Sequence, residues 1–345
     1  MKNSTLTLFI EIDNYNLTFF VCESDIQNYF KIIFKSEIQL DGNKNIIIAD
    51  FDEVFSVIKK NIYAVEQKLN FTFKEVVLIL ENFNPSFVNL TGFKKLNGSQ
   101  VLRENITYIL NSLKSCVGQI EIKKKVLHIF NSKFNLDGKK IENLPIGLFG
   151  DFYSHELSFV LINLNDYKNL SNIFEKCNLS IKKILIKSFI SGAFISDNNT
   201  SADTFFQIKI NSINSKVIYF ENNSLKFEQD FNFGSEIILK DISKITLLKT
   251  DKIKEIFSEI KFRENSLDKE ELIDKKFFES DNYRKIKKKL IFDIALARVE
   301  EIFDLIMFKN KNLNYYSELS KKLFLKINEN NYLKDIFKTV LLKNR

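Results

Sequence analysis

The stretch Phe9-Ile10-Glu11-Ile12-Asp13-Asn14 is echoed about 200 residues later by Gln207-Ile208-Lys209-Ile210-Asn211-Ser212. Each copy is a β-rich run. Each is followed, across a short polar turn, by a second such run, Leu17 to Val21 and Val217 to Phe220. Apolar runs separated by Asn, Asp and Ser read as hairpins, because those side chains bond their own backbone in a turn. Two hairpins of one form at this distance suggest a duplicated lobe, and 345 residues are enough for two.

Around the first hairpin the pattern is α/β. A strand-like stretch covers 29–40, and Asn45 to Ala49 reads as another strand. Then Phe51, Val54, Phe55, Ile58, Ile62, Val65 and Leu69 recur at three- and four-residue spacing. This is an amphipathic helix capped by Asp50, with Asp52 and Glu53 in its first turn. Val76 to Leu80 is a strand. Residues 75–165 behave as a separate segment: a polar region near Pro85, a helix at about 101–115, and β-rich runs at 125–130 and 157–163. Helical patterns follow at 166–177 and 181–190, and again at 236–260 after the second hairpin. Residues 264–284 are charged and aperiodic. A long helix at 285–308 runs through Ile286, Leu290, Ile294, Ala297, Ile302 and Leu305. A short apolar run, Leu323 to Ile327, precedes an amphipathic segment at 331–342.

Composition narrows the chemistry. Hydrophobic residues make up 45% and charged residues 28%, so the chain buries a core and is not disordered. With only 9 Gly and 2 Pro, it is short of the residue that lets backbone approach phosphate. The net charge of +7 is spread along the chain, and no basic stretch is interleaved with aromatics, so nucleic acid is not an expected partner. Cys22, Cys116 and Cys177 are far apart and odd in number; His128 and His155 lack cysteine neighbours at ligand spacing. This fits a reducing cytoplasm, no metal site, and packed-core histidines. No run approaches the ~18 apolar residues of a spanning helix, so any membrane contact is expected to be peripheral.

Several stretches resemble, in order and across nearly the whole chain, the FtsA family of bacterial cell-division proteins. Leu127-His128, Phe134, Asp137-Gly138 and the run Asn143-Leu144-Pro145-Ile146-Gly147-Leu148-Phe149-Gly150 resemble that family's inserted subdomain, which ends in a P-x-G-x-x-G turn. Ala297-Arg298-Val299-Glu300-Glu301-Ile302 resembles its R-x-x-E-I helix. Glu11 to Asn16 matches the family's D-I-G-T-x-K loop, and Lys209 to Lys216 its D-I-G-G-G-T-x-D loop. Gly234-Ser235 with Asp241-Ile242-Ser243 resembles G-G-x-x-x-x-D-I-A, and Thr250 to Lys254 resembles A-E-x-I-K. The resemblance implies an actin-like, two-lobed α/β fold of duplicated ribonuclease-H-like lobes. The first lobe is expected at 1–74 and 166–200, the insert at 75–165, and a second lobe at 201–345 that stops before the family's later strands and anchor.

By the same resemblance, ATP and Mg²⁺ would lie against Glu11, Asp13, Asn14, Asn16, Lys209, Asn211, Ser212, Asn214, Gly234, Asp251 and Lys254. Actin-like ATPases hold phosphates with glycine-supported backbone N–H groups and organise Mg²⁺ with aspartates. Here Asp13 stands where glycine belongs, Lys209 replaces an aspartate, and Asn211, Ser212 and Ile213 replace glycines. The late glycine pair that cups adenosine falls at Ile327-Asn328 and is absent. Nucleotide binding is therefore expected to be degenerate and the protein not to be an enzyme. Read without the resemblance, these are ordinary polar turns.

The family's role is a scaffold: it joins the tubulin-like protein FtsZ to the inner face of the cytoplasmic membrane, recruits later division proteins and self-associates. Arg298 and Glu301 match the FtsZ-tail site. They share one helix face, and an intrahelical ion pair explains them equally well. Leu333, Ile336, Phe337, Val340 and Leu341 form an apolar stripe flanked by lysines, which suits either an interfacial anchor or a core helix. The alternative job is an actin-like pilus or secretion scaffold that binds a membrane-protein tail. A small-molecule kinase of this fold would need the missing glycines and aspartates.

Overall fold

The computed structural model describes residues 5–13, 16–24, 30–39, 51–259, 270–278, 283–314, 322–327 and 333–343. Asn14, Asp50, the run at 45–49, Asn328 and much of 264–284 lie outside these described residues. The chain forms two units: residues 1–203 with 220–227, and residues 204–219 with 228–345.

Unit 1 is built on a five-stranded sheet of order β3-β2-β1-β4-β9. Its strands are β1 (Thr5–Ile12), β2 (Asn16–Ser24), β3 (Phe30–Gln39), β4 (Glu75–Leu80) and β9 (Ser180–Ile186). β1 and β2 form an antiparallel hairpin, while β4 runs parallel to both β1 and β9. Alternation sets the buried face. Leu8, Ile10 and Ile12 of β1, Leu17, Phe19 and Val21 of β2, and Val76, Leu78 and Leu80 of β4 are all buried in one cluster. Helix α1 (Phe51–Leu69) covers this face with Val54, Ile58, Ile62 and Val65, and α3 (Leu164–Lys176) adds Leu170, Ile173 and Phe174. Each such side chain contributes about 1.5–3 kcal/mol by leaving water. β4 also buries Val77 and Ile79, as expected of a strand flanked on both sides. Helix α4 (Lys187–Asn198) follows β9 directly.

Between β4 and α3 the chain builds a second, antiparallel sheet of order β5-β8-β6-β7. It comprises β5 (Ser86–Lys95), β6 (Lys124–Leu136), β7 (Lys139–Ile141) and β8 (Phe152–Asn163), with α2 (Arg103–Ile120) laid over it. Ile109 and Val117 of α2 pack against Tyr153, Leu157 and Phe159 of β8. The helix sits so close that a Cβ on Gly92 of β5 would come within 2.5 Å of Ile109. This is the inserted subdomain. Its expected start at 75 moves to Ser86, because Glu75–Leu80 is the fourth strand of the first sheet rather than the first of the second.

Unit 2 centres on the sheet β12-β11-β10-β13, where β10 is Phe205–Ile210, β11 Ser215–Glu221, β12 Ser224–Phe231 and β13 Leu323–Ile327. β10 pairs in parallel with β13 as β1 does with β4, so the hairpin echo marks a repeated topology. The helices of unit 2 are α5 (Glu236–Thr246), α6 (Thr250–Glu259), α7 (Lys288–Phe303) and α8 (Lys334–Lys343). α7 continues as a π-helical turn over Asp304–Phe308.

Three sequence expectations are corrected here. Residues 181–190 are strand to Ile186 and helix only from Lys187; the spacing of Ile181, Ile184 and Leu185 imitates a helical face. The segment 236–260 is two helices, broken where Leu247 adopts φ 57°. α7 buries Ile291, Phe292, Ala295, Val299, Ile302 and Phe303, so Leu290, Ala297 and Leu305 lie on its exposed side. Among the described residues, no helix is long and apolar enough to cross a membrane.

Candidate functional site

In unit 1 the first turn follows β1. The N–H of Asp13 donates to the carbonyl of Asn16 (3.0 Å), closing the hairpin, and the N–H of Glu81 donates to the carbonyl of Ile12 (3.0 Å). This brings the end of β4 beside the turn. Asn82 then donates to the Asp13 carboxylate at 2.8 Å, and Lys187, the first residue of α4, bonds Glu11 at 2.5 Å. Both carboxylates of the turn are thus engaged by groups of the same unit, Glu11 by an ammonium.

In unit 2 the second turn follows β10. Asn211 and Asn214 bond each other twice, through backbone (2.9 Å) and through side chains (2.6 Å). None of residues 211–214 takes a positive φ, so the glycine-type cradle is not reproduced in backbone conformation. The carbonyls of Asn211 and Ser212 accept from the N–H groups of Ser235 and Glu236 at the start of α5. Gly234 allows that approach: a Cβ there would lie 2.2 Å from the Asn211 oxygen. Lys209 is buried, and behind the turn Lys216 bonds Glu228 at 3.1 Å and Asp230 at 3.2 Å. Burial alone would pull the Lys216 ammonium down, but the two carboxylates outweigh it and raise its pKa. Burial pushes the Asp230 carboxyl above its usual range, with Glu228 adding to the effect and Lys216 and Lys209 opposing it.

Asp251 and Lys254 sit in the first turns of α6, exposed and paired with each other at 3.5 Å. Of the sequence-derived nucleotide residues, the structure brings Glu11, Asp13 and Asn16 to one turn, and Lys209, Asn211, Ser212, Asn214 and Gly234 to the other. Sequence reading missed Lys187, Asn82, Lys216, Glu228 and Asp230. Their signal was faint, since each side chain is ordinary by itself and gains meaning only from its partner in the fold. Taken turn by turn, these residues do not fit a magnesium triphosphate. A lysine stands in the place of a metal-organising carboxylate, Glu11 is already neutralised, and the second turn's polar groups bond within unit 2.

Two surfaces remain. On α7, Arg298 is bound to Asp241 of α5 and bonds Glu301 at 2.5 Å. The ion-pair reading of these residues is therefore realised, and it links two helices. Along the same helical segment, Leu290, Ala297 and Leu305 are exposed. On α8, Leu333, Ile336, Phe337 and Val340 are buried, Leu341 is half-buried, and Phe337 meets Phe303 of α7 edge-on at 5.8 Å. In this structure the α8 stripe is a core face, not a free one. In the inserted subdomain, the Asn143–Gly150 turn is tied to the preceding segment by Val101 N–H to the Leu148 carbonyl and Gly147 N–H to the Val101 carbonyl, both 2.9 Å.

Comparison with known proteins agrees with this architecture. No family model matches the chain. It is 21% identical over 237 residues to the cell division protein FtsA of Buchnera aphidicola subsp. Baizongia pistaciae, covering 68% of this chain and 55% of that protein. It is 20% identical over 293 residues to cell division protein FtsA of Rhizobium meliloti, covering 82% of this chain and 65% of the relative. The chain therefore spans between about half and two thirds of the length of these two relatives. Among solved structures, the PilM-PilN type IV pilus biogenesis complex superposes with a TM-score of 0.57 at 7% identity, over 97% of this chain and 85% of that one. That likeness concerns the fold. With the duplicated sheets and the insert between β4 and α3, the chain has the actin-like fold and is distantly similar in sequence to FtsA proteins.

Proposed function

We propose that this protein is a cell-division scaffold that links FtsZ to the inner face of the cytoplasmic membrane and works without nucleotide turnover. The observation that carries the reading is the pair of FtsA matches, which cover 68% and 82% of the chain. The state of the two turns supports the second half. A fold that keeps both hairpins but fills them with internal bonds serves through its surfaces. ATP and Mg²⁺ are not expected to bind usefully, and no catalytic residue is assigned.

The FtsZ-tail site is the exposed face of α7, where Arg298 and Glu301 lie along the same helical segment as Leu290, Ala297 and Leu305. An acidic, partly apolar tail would take apolar contacts from the leucines and exchange its carboxylates with Asp241 or Glu301 around the guanidinium. Other division proteins and further copies of the chain are the remaining partners of this reading. Membrane contact is peripheral and does not use the α8 stripe as it stands.

A second reading has one specific observation behind it, the fold likeness to a pilus biogenesis complex. Under it, the protein would be an assembly scaffold for a membrane-protein tail. Titration of the protein with an FtsZ C-terminal peptide and with the cytoplasmic tail of a pilus membrane protein separates the two. Saturable binding of the FtsZ peptide, lost on Leu305→Glu, is the expected result. Binding of the pilus tail alone would replace the division reading with the second one.

A further inference from the structure

The hairpin joining β11 to β12 turns through Asn222 and Asn223, both left-handed at φ 48° and 59°, as a two-residue hairpin turn requires. Its tip, residues 220–227, belongs to unit 1. There it meets β6 at an irregularity. The β6–β8 register slips between Asn131 and Lys133, leaving Ser132 as a bulge. A bulge releases backbone groups from the ladder. Here the carbonyl of Asn131 accepts from the Ser224 hydroxyl (2.7 Å) and that of Ser132 from the Asn222 side-chain amide (2.8 Å). Lys140 donates to the Asn222 side-chain oxygen at 3.1 Å.

Beside the bulge lie four charges. Lys133 reaches Glu221 at 2.9 Å and Glu156 at 3.8 Å. Lys226 bonds Glu156 and lies 3.8 Å from Glu221. Each carboxylate thus touches both ammonium groups, and the set sums to zero. Lys226 is only 1% exposed. Desolvation offsets most of the attraction in such a cluster, so it adds little net stability. Removing one member, however, leaves an uncompensated buried charge and is severe. Its best-attested use is to fix register. A slip of one residue would put Leu225 or Phe227 where Lys226 stands and leave both carboxylates without it.

We propose that the bulge at Ser132 and the Lys133–Glu156–Glu221–Lys226 quartet form a charge-keyed lock, which admits the β11–β12 hairpin tip in one register and holds it on the inserted sheet. This is independent of the division reading. The test is hydrogen exchange on the full chain, read in peptides covering 216–231 and 128–136. Lys226→Met raises exchange there by at least about 100-fold, while β1 and β4 keep their protection. Reversing all four charges together (K133E, E156K, E221K, K226E) restores most of the protection. Because a buried-charge variant can misfold, a second variant, Ser224→Ala, keeps the quartet and the Asn222-Asn223 turn and removes the side-chain bond to the bulge carbonyl of Asn131. It raises exchange by roughly 10-fold in the same peptides. Wild-type exchange in Lys226→Met, a fourfold reversal no better protected than Lys226→Met, or a second variant whose change spreads over the whole chain would each overturn the lock.

Discussion

Seven of the nine non-glycine residues with positive φ among the described residues are asparagines: Asn70, Asn82, Asn84, Asn97, Asn178, Asn222 and Asn223. In a chain with 9 Gly, the left-handed positions pass to the next most tolerant side chain. Glycine is kept at left-handed Gly98, Gly138 and Gly147, and also where space forbids a side chain. At Gly234, whose Cβ would meet the Asn211 and Ser212 oxygens at 2.2 and 2.6 Å, the second turn lies against the start of α5. Gly234→Ala is expected to cost about 1–3 kcal/mol by forcing that turn away, measured by urea unfolding. His155 makes a second residue-scale case. It is buried, neither ring nitrogen has a hydrogen-bond partner, and burial pulls its pKa down to about 4. The native state therefore binds fewer protons than the unfolded chain between about pH 4 and 6.5, so stability declines as pH falls through that window. His128, also lowered to about 4 by burial and by Lys183, adds to the same slope. Replacing His155 by Leu should remove roughly 3 kcal/mol of that pH dependence, read as the change in unfolding free energy between pH 7 and pH 4.

At the scale of elements, the helix with one buried face was legible, whereas the half-exposed edge strand β5 and the inward face of α7 were not. α1 was legible because Val54, Ile58, Ile62 and Val65, the deeply buried ones among its described side chains, recur at helical spacing. β5 was not. It is an edge strand whose apolar residues are half-exposed on both faces, and Pro85 before it reads as a loop. In α7 apolar and charged residues are both spread around the helix, so periodicity could not say which side faces inward, and the choice of Leu290, Ala297 and Leu305 fell on the outer side. α8 illustrates the same ambiguity between core and membrane. Its packing of Phe337 against Phe303 predicts that Phe337→Ala loses about 3–5 kcal/mol, visible as a lower unfolding midpoint. If α8 acted as an anchor, the same change would leave stability intact and reduce liposome co-sedimentation.

For the whole molecule, duplication was visible in the first few residues of each hairpin, because the β1/β2 and β10/β11 turns keep their polar signature. The candidate site was only half legible. The turn residues could be found by resemblance, but Lys187, which answers Glu11, comes from an element far along the chain, and Lys216 meets Glu228 and Asp230 only through the register of the β11–β12 hairpin. Those internal pairs are the ground for the proposal that the actin-like architecture is retained for its surfaces and needs no nucleotide to present them. Calorimetric titration of the full chain with an FtsZ C-terminal peptide, with and without Mg-ATP, tests this most directly. The same affinity in both conditions, with no heat from Mg-ATP alone, is the predicted result. Peptide binding that appears only with Mg-ATP, or saturable heat from Mg-ATP itself, would contradict it.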